Sequence, residues 1–202
     1  ANIMLYSDLL CENEKADEKT KMLSQNIKAQ SEKLDFLIGS LLKLSRLENS
    51  IVALSPKENS VNDLLLRLDF ESEARIKNVD FKIENSSDLT AVFDFKWTLE
   101  AISNIADNAL KYTPEGGTVM VSAMPYEMFV RIDIADTGIG ISEEEQPKIF
   151  ARFYRSQKVS GYSGVGIGLY LSREIISRQG GYIRLTSLEG EGSTFSVFLP
   201  RA

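Results

Sequence analysis

Two amides and a lysine stand at helical spacing in the stretch NIADNALKY, residues 104–112. Asn104 and Asn108 are four residues apart, so on a helix both side chains project from one face, and Lys111 follows close to that face. Amide oxygens beside an ammonium group can hold a hydrated magnesium ion and a polyphosphate, because magnesium prefers oxygen ligands and keeps several waters. The solvated polar face of an amphipathic helix is an equally good interpretation of this stretch alone.

A single carboxylate, Asp136, ends an apolar strand pattern and enters the glycine turn DTGIGI, residues 136–141. Gly138 and Gly140 would let the backbone approach a ligand closely. A carboxylate at a strand end can accept a hydrogen bond from an exocyclic amine such as that of adenine. An ordinary turn with Asp and Gly as turn formers is the alternative.

Alternating glycines, Gly164, Gly166 and Gly168, stand immediately before a predicted helix in the stretch GYSGVGIGL, residues 161–169. They would expose backbone amides where the helix N-terminus adds positive potential, which suits a phosphate group. The stretch is not a dinucleotide-binding fingerprint, because the spacing is Gly-x-Gly-x-Gly and a loop rather than a strand precedes it.

The segment between these two glycine motifs, residues 142–163, is long and lacks a regular pattern, which predicts a functional lid or a disordered loop. Phe150 and Phe153 could clamp its base to the body of the domain. Arg152 or Arg155 could reach phosphate oxygens, because a guanidinium group can bind phosphate through two parallel hydrogen bonds.

Composition excludes several classes of function. The chain has 202 residues, 23 basic and 29 acidic side chains and a net charge of −6, which disfavours nonspecific binding to nucleic acid. It has no histidine, which excludes Ser–His triads, histidine metal ligands and histidine general bases. The single cysteine, Cys11, excludes an internal disulfide and suits a reducing cytoplasm. No apolar run is long enough to cross a bilayer.

Apolar residues at helical spacing mark residues 1–52, interrupted by the polar stretch 12–20. They are Ile3, Leu5, Tyr6, Leu9, Leu10, Leu23, Ile27, Leu34, Leu37, Ile38, Leu41, Leu44 and Leu47. Such a stripe needs a partner. It favours a helical hairpin that pairs with a second copy in a four-helix bundle over a hairpin folded back on its own globular domain.

Helix and strand patterns alternate beyond a polar linker at residues 49–59. Helices are predicted over residues 61–77, 94–112 and 168–179, and strands over 80–84, 90–93, 118–125, 127–135, 182–187 and 194–199. Strands grouped in hairpins and separated by long helices indicate an α+β fold. We therefore predict a helical hairpin over residues 1–52, followed over 58–202 by an α/β sandwich with a mixed, largely antiparallel sheet covered by helices on one face.

Four motifs in this order, NxxxNAxKY, DTGxGI, FxxFYR and GxGxGL, resemble the N, G1, F and G2 boxes of bacterial sensor histidine kinases. The catalytic domains of those kinases belong to the ATPase superfamily that includes gyrase, MutL and the large heat-shock chaperone. The stretch KLSRLE, residues 43–48, resembles the end of the family's dimerisation and histidine-phosphotransfer domain. The resemblance covers essentially the whole chain, and four boxes in the right order are specific although each is weak alone.

The resemblance implies that the chain binds ATP and Mg²⁺, with Asn108 as the magnesium ligand and with Asn104 and Lys111 as the catalytic residues near the reacting phosphate. Asp136 would bind the adenine amino group, the first two glycines would pass close to the base, and the two phenylalanines would pack the base of the lid. The nucleotide-contacting residues would be Asn108, Lys111, Tyr112, Asp136, Gly138, Gly140, Phe150, Phe153, Arg155, Gly164, Gly166, Gly168 and Leu169.

Asn104 distinguishes this sequence from hydrolytic relatives, in which a glutamate four residues before the magnesium asparagine activates water. An amide cannot accept a proton at neutral pH, so attack by water lacks its general base. This favours transfer of the γ-phosphoryl group to a histidine on the dimerisation helix, for relay to an aspartate of a response regulator. The family's phosphoacceptor motif is absent and is expected upstream of Ala1, so this chain is not expected to autophosphorylate.

The resemblance also implies the partners: a second copy through the helical hairpin and the receiver domain of a response regulator, with no nucleic acid. The chain would be cytoplasmic, in a full-length protein anchored in the membrane by an upstream region. A nucleotide-dependent interaction module is the main alternative function. A gyrase-type ATPase is disfavoured by Asn104 and the hairpin, and a serine kinase of the anti-sigma type shares the boxes but lacks the hairpin.

Overall fold

A computed structural model describes residues 3, 6–7, 9–10, 17–49, 53–84, 89–159 and 164–201. The chain divides into two compact units, Ala1–Ile51 with Ser163–Val165, and Val52–Tyr162 with Gly166–Ala202. Among the residues described, no helix is long and apolar enough to span a membrane.

The first unit contains one long helix, α1 (Glu18–Glu48). Asp17 caps its N-terminus, because the Asp17 carboxylate accepts a hydrogen bond from the Thr20 amide at 2.8 Å. Glu18 adds an acidic group to the first turn and Arg46 a basic group to the last, as the helix dipole favours. The helix predicted from the apolar spacing of residues 23–47 is confirmed.

Part of the apolar stripe on α1 is exposed to solvent. Four of the predicted apolar positions are about half exposed: Leu23, Ile27, Leu34 and Ile38. Residues 3, 6, 7, 9 and 10 are also helical, whereas Leu5 and Cys11 lie outside the described residues. The pairing of two such helices into a hairpin and of two copies into a bundle stays a prediction.

The second unit is built on a five-stranded sheet. Its strands are β2 (Asp80–Ile83), β4 (Thr118–Tyr126), β5 (Phe129–Asp136), β6 (Tyr182–Leu188) and β7 (Gly192–Pro200). They lie in the order β2-β4-β5-β7-β6. β2 pairs with β4 in parallel and the other neighbours are antiparallel, which confirms the predicted mixed, largely antiparallel sheet.

A separate two-stranded antiparallel sheet joins β1 (Lys57–Ser60) to β3 (Thr90–Phe93). The expectation that residues 49–59 form a linker is therefore wrong for the residues of β1. The sequence KENS contains no apolar residue, and its extended conformation comes from pairing with β3 rather than from a pattern of its own.

Residues 61–77, predicted as one helix, form two: α2 (Val61–Leu65) and α3 (Glu71–Lys77). The apolar face of α2 continues to the buried Leu68. Phe70 follows two residues later, and on a continuous helix it would point to the opposite side. The break instead lets the Phe70 ring pack against Phe81 of β2, with ring centroids 5.4 Å apart.

Two longer helices, α4 (Phe95–Tyr112) and α5 (Gly168–Ser177), pack against each other and against the five-stranded sheet. Asp94 caps α4 by accepting a hydrogen bond from the Trp97 amide at 3.1 Å. The core between helices and sheet consists of buried aliphatic side chains: Ile102, Ile105, Ile132, Ile134, Leu171, Ile175 and Val197. The predicted α+β sandwich is confirmed.

Candidate functional site

The two asparagines of α4 lie together on one face of the helix. The Asn108 Nδ2 donates a hydrogen bond to the Asn104 backbone carbonyl at 2.9 Å, which directs the Asn108 Oδ1 away from the helix backbone. The Asn104 Nδ2 is buried, and the described residues offer it no hydrogen-bond partner. Because a buried polar atom without a partner costs free energy, Asn104 is a candidate for binding a ligand from outside the chain.

The N-terminus of α5 lies beside the Asn104 side chain. A Cβ atom at Gly168 would be 3.8 Å from the Cβ, Cγ and Oδ1 of Asn104. One turn further along, the Ser172 hydroxyl donates to the Ala101 carbonyl at 2.9 Å and joins the two helices. The first residues of α5, Gly168 and Leu169, are thus next to the asparagine face, and a helix N-terminus favours an anionic ligand.

The turn after β5 contacts the other end of α4. The Ile139 amide donates to the Tyr112 carbonyl at 3.3 Å. A Cβ atom at Gly138 would lie 2.7 Å from the same oxygen, so the close approach of the two backbones requires glycine there. The structure therefore brings the predicted carboxylate turn and the asparagine helix together at Tyr112.

Asp136 is the carboxylate at the end of β5. Its Oδ1 accepts a hydrogen bond from the Gly138 amide at 2.8 Å. Burial raises the pKa of Asp136 above the usual value for aspartate, although hydrogen bonds from the Gly138 and Ser193 backbones act in the opposite direction. A partly desolvated carboxylate held in this way is suited to accept a hydrogen bond from a ligand amine.

Gly140 contacts the turn between β6 and β7. It has a φ of 64°, and a Cβ atom there would lie 2.0 Å from the Leu188 carbonyl oxygen. The Gly190 amide also donates to the Ile139 carbonyl at 2.8 Å. The packing of two protein turns therefore requires glycine at position 140, and the expected approach of this residue to a nucleotide base stays a prediction.

The F and G2 motifs meet through their backbones. The Phe153 amide donates to the Gly166 carbonyl at 2.8 Å, and both residues have positive φ, 65° and 76°. A Cβ atom at Gly166 would lie 2.4 Å from the Tyr154 carbonyl oxygen, so a larger residue would force a backbone shift. A bulky residue in the left-handed region is uncommon and marks Phe153 as a strained position.

The two phenylalanines of the F motif have different environments. Phe150 packs edge-on against Phe195 of β7, with ring centroids 6.3 Å apart, and the Arg173 guanidinium lies 5.5 Å from its ring. Phe153 is 50% exposed, and the Arg152 guanidinium lies 5.1 Å from its ring. Phe150 therefore packs against the sheet, whereas the ring of Phe153 is half exposed, and the role expected of both at the base of a lid stays a prediction.

Basic residues from three elements interact near the end of α4. Burial lowers the pKa of Lys111, the neighbouring Asp107 opposes this, and the positive charges of Arg155 and Lys77 lower it further. The Arg155 Nη2 also donates to the Val159 carbonyl at 3.0 Å. Two of the residues expected to contact phosphate, Lys111 and Arg155, are therefore close enough to influence each other.

Lys77, Asp107, Lys111 and Arg155 thus form a cluster of charged groups at the end of α4. Two of its members, Lys77 and Asp107, are not identified by the sequence patterns. Asp107 stands four residues before Lys111, and this helical spacing is the available signal. Lys77 ends α3, and no local pattern connects it to α4.

Gly164 has a φ of 129° and residues 160–163 lie outside the described part of the chain. The role expected of Gly164 in a hinge or a phosphate site stays a prediction.

The chemistry at Asn108 fits a magnesium ion. Within the described ranges no group of three or more His, Cys, Asp or Glu residues could hold a metal ion. Magnesium does not need such a group when one amide oxygen, phosphate oxygens and water complete its coordination. The outward Asn108 Oδ1 is consistent with that ligand set.

Comparison with known proteins gives the family. Residues 94–202 match the family described as histidine kinase-, DNA gyrase B-, and HSP90-like ATPase, and the chain belongs to it. The sensor histidine kinase RppB of Synechocystis sp. is 34% identical over 181 residues, which are 86% of this chain and 39% of RppB. The crystal structure of full-length ShkA in complex with AMPPNP matches 99% of this chain and 42% of ShkA, with a TM-score of 0.80 and 25% identity.

A second solved structure, the histidine kinase ThkA in complex with the response regulator TrrA, shares the fold over 100% of this chain and 57% of that chain, with a TM-score of 0.75 and 23% identity. The chain spans less than half the length of the curated relatives it matches. The resemblance stated from the four motifs is confirmed: this chain carries the ATP-binding domain of the histidine kinases of two-component systems.

Proposed function

We propose that this chain is the catalytic part of an ATP-dependent protein-histidine kinase. It binds Mg-ATP in its second unit and transfers the γ-phosphoryl group to a histidine on a dimerisation helix, a residue that this chain lacks. The observation that carries the proposal is Asn104: its buried side-chain nitrogen finds no hydrogen-bond partner in the described part of the chain, and its side chain lies beside the N-terminus of α5. An amide at this position does not provide the general base that hydrolysis by water requires.

The parts of the site have separate tasks in this proposal. Asp136 accepts a hydrogen bond from the adenine amino group, and Asn108 holds Mg²⁺ through its Oδ1. The remaining contacts to nucleotide come from Lys111, Tyr112, Gly138, Arg155, Gly166, Gly168 and Leu169. Bound magnesium supplies positive charge that neutralises phosphate oxygens.

Phosphoryl transfer then depends on position and charge. The acceptor nitrogen of the histidine bonds to the γ-phosphorus while the bond to the bridging oxygen breaks, and ADP leaves. The transition state spreads negative charge over the phosphoryl oxygens, which Lys111, Arg155 and the first amides of α5 stabilise. Water competes poorly because Asn104 does not remove its proton.

The assembly that we propose is a homodimer through α1, with residues 1–52 as the dimerisation and phosphotransfer region and 58–202 as the catalytic domain. The half-exposed apolar residues along α1 favour such pairing. The similarity to sensor histidine kinases favours a cytoplasmic catalytic region in a membrane-anchored protein. The shared fold with ThkA, solved with a response regulator, favours a receiver domain as the partner that accepts the phosphoryl group on an aspartate.

Calorimetric titration with AMPPNP and Mg²⁺ tests the site. Asn108→Ala removes the proposed magnesium ligand, and Asp136→Asn replaces an acceptor with a group that presents a donor to the adenine amine. We expect each to weaken binding by about tenfold or more, because hydrogen bonds to charged groups contribute about 1.5–3 kcal/mol. The exposed controls Asn26→Ala and Asp69→Asn should bind like the wild type. Unchanged affinity in both site variants would refute the assignment.

A second experiment separates the kinase from the nucleotide-dependent interaction module. The full-length protein is incubated with ATP radiolabelled at the γ-phosphate, and the label is followed on the protein and in solution. The kinase predicts label on a histidine. Nucleotide binding without any labelled protein would favour the interaction module, and release of free phosphate would favour hydrolysis.

A further inference from the structure

The last turn of α4 exposes carbonyl groups that no amide of the same helix can bind. The Ala109 carbonyl accepts hydrogen bonds from the amide and the hydroxyl of Thr113, at 3.1 and 2.7 Å. The Tyr112 carbonyl accepts one from the Ile139 amide, in the turn after β5. The two carbonyls between them need a donor from another part of the fold.

Lys77, the last residue of α3, supplies this donor. Its ammonium group donates to the Leu110 carbonyl at 2.8 Å and to the Lys111 carbonyl at 2.5 Å. A positive charge at this place also stabilises the negative end of the helix dipole. Burial lowers the pKa of Lys77, as expected for an ammonium group that is partly removed from water.

The residue after Lys77 attaches α3 to the chain beyond α4. Asn78 has a φ of 54°, and its carbonyl accepts a hydrogen bond from the Gly116 amide at 2.7 Å. Its side-chain amide donates to the Glu115 carboxylate at 3.2 Å. The end of α3 is therefore bound both to the last turn of α4 and to the turn that follows it.

We propose that Lys77 is a positioning residue of the nucleotide site, which fixes the last turn of α4 so that Lys111 and Tyr112 are placed to bind the nucleotide. This inference rests on the proposed function and adds a residue that belongs to none of the four motifs. The ammonium group is engaged by two helix carbonyls, so Lys77 acts on the phosphates through Lys111. Its effect on binding should therefore depend on the presence of the Lys111 ammonium.

A double-mutant cycle measures this dependence. Lys77→Met removes the ammonium group and keeps an aliphatic side chain, and we expect it to weaken binding of Mg-AMPPNP about tenfold, because two charge-assisted hydrogen bonds are lost. In a Lys111→Met background the same change should cost less than about threefold, because Lys77 then affects only the placement of Tyr112. The control is Lys96→Met, an exposed lysine in the first turn of the same helix, which should bind like the wild type.

Lys77→Arg should restore binding to within about threefold of the wild type, because a guanidinium group can donate to both carbonyls. The inference is overturned if Lys77→Met binds like Lys96→Met, or if its cost is the same with and without Lys111. Should Lys77→Met fail to unfold cooperatively on heating, Lys77→Gln takes its place in the cycle under the same two criteria. Absence of AMPPNP binding by the wild type would refute the proposed function, and this inference with it.

Discussion

α4 and the lid-base segment, which we define as residues 142–159, both contribute to the proposed site but are held in place by different means. α4 is capped by Asp94 at its N-terminus, its last carbonyls have partners, and its apolar face is buried in the core. The lid-base segment consists of turns and one short 3-10 helix, Gln157–Val159. Its contacts with the rest of the domain among the described residues include the Phe150 ring on β7, the Gln146 Nε2, which donates to the Ser187 carbonyl at 3.1 Å, and the backbone contact with Gly166. An exposed ion pair between Lys158 and Glu189 adds a further contact at the surface.

The difference indicates a division of labour between the two regions. Because α4 is fixed by its caps and by the core, it holds Asn108 in a constant geometry. Recognition of a ligand with defined geometry requires such a fixed side chain. A segment with few buried contacts can open and close at small cost in free energy. Variants of the segment should therefore affect phosphate binding more than adenine binding, and variants of α4 and the turn after β5 should affect both.

Among the variants that test this contrast, we expect Gly166→Ala to lower the affinity for nucleotide the most, because Gly166 contacts the backbone of the lid-base segment. The new Cβ atom would lie 2.4 Å from the Tyr154 carbonyl oxygen at a φ of 76°, so the backbone contact with Phe153 has to move. We expect affinity for Mg-AMPPNP to fall about tenfold, the equivalent of about 1.4 kcal/mol, while affinity for adenosine changes less than about twofold. Calorimetry with both ligands checks this.

Gly190→Ala is the matched control for this variant. Gly190 also has a positive φ, 85°, but nothing lies within 4 Å of its added Cβ atom. Both variants carry the strain of a left-handed alanine, and only Gly166→Ala adds the collision with Tyr154. Equal losses for adenosine and AMPPNP in Gly166→Ala would remove the contrast between the two regions.

The pH dependence of stability probes the carboxylate beside α4. Burial raises the pKa of Asp136 in the folded chain, so between the usual aspartate value and the raised value the folded state binds more protons than the unfolded state. The contribution of Asp136 to stability is therefore fully present at low pH and is lost as the pH rises through the folded pKa. Urea unfolding should show the wild type losing stability relative to Asp136→Asn as the pH rises from about 4 to neutrality. A difference that stays constant with pH would mean that the site is well solvated.

The smallest effect is expected from the ion pair between Lys158 and Glu189, which joins the lid-base segment to the β6–β7 turn. Both side chains are more than half exposed, 57% and 51%, so water and salt screen the attraction. Glu189→Gln should leave the urea midpoint and the affinity for AMPPNP within experimental error of the wild type. A clear loss of affinity would show that this surface contact holds the segment more firmly than its exposure suggests.

The sequence predicts the elements that have both a periodic pattern and a local signal. α4 has a continuous apolar face and Asp94 as its cap, and the β4–β5 and β6–β7 hairpins have alternating strands, so all are found where expected. β1 has no apolar residue, and its pairing partner β3 follows after two helices and another strand. The break before α3 depends on Phe81, which is distant in sequence from Phe70 and which local periodicity does not include.

In the candidate site, too, the sequence identifies residues that form a local pattern and does not identify contacts between segments that are distant along the chain. Asn104, Asn108 and Asp136 are identified because their residue types and spacing suit a nucleotide and a magnesium ion. The sequence patterns do not identify Lys77, because its partners are backbone carbonyl oxygens of another helix. Every residue type has such an oxygen, so the sequence gives no sign of the contact. The sequence identifies Gly140 but does not show its contact with the backbone of Leu188, which is distant along the chain.

The parallel pairing of β2 with β4 has a consequence for how the site forms. Two parallel neighbours need a crossover between them, and here the crossover consists of β3 and α4. The helix that presents Asn104, Asn108 and Lys111 is thus the connection that allows the edge strand to join the sheet. β2 can pair with β4 only when α4 crosses from one strand to the other. The edge of the sheet and the part of the site on α4 therefore form together during folding.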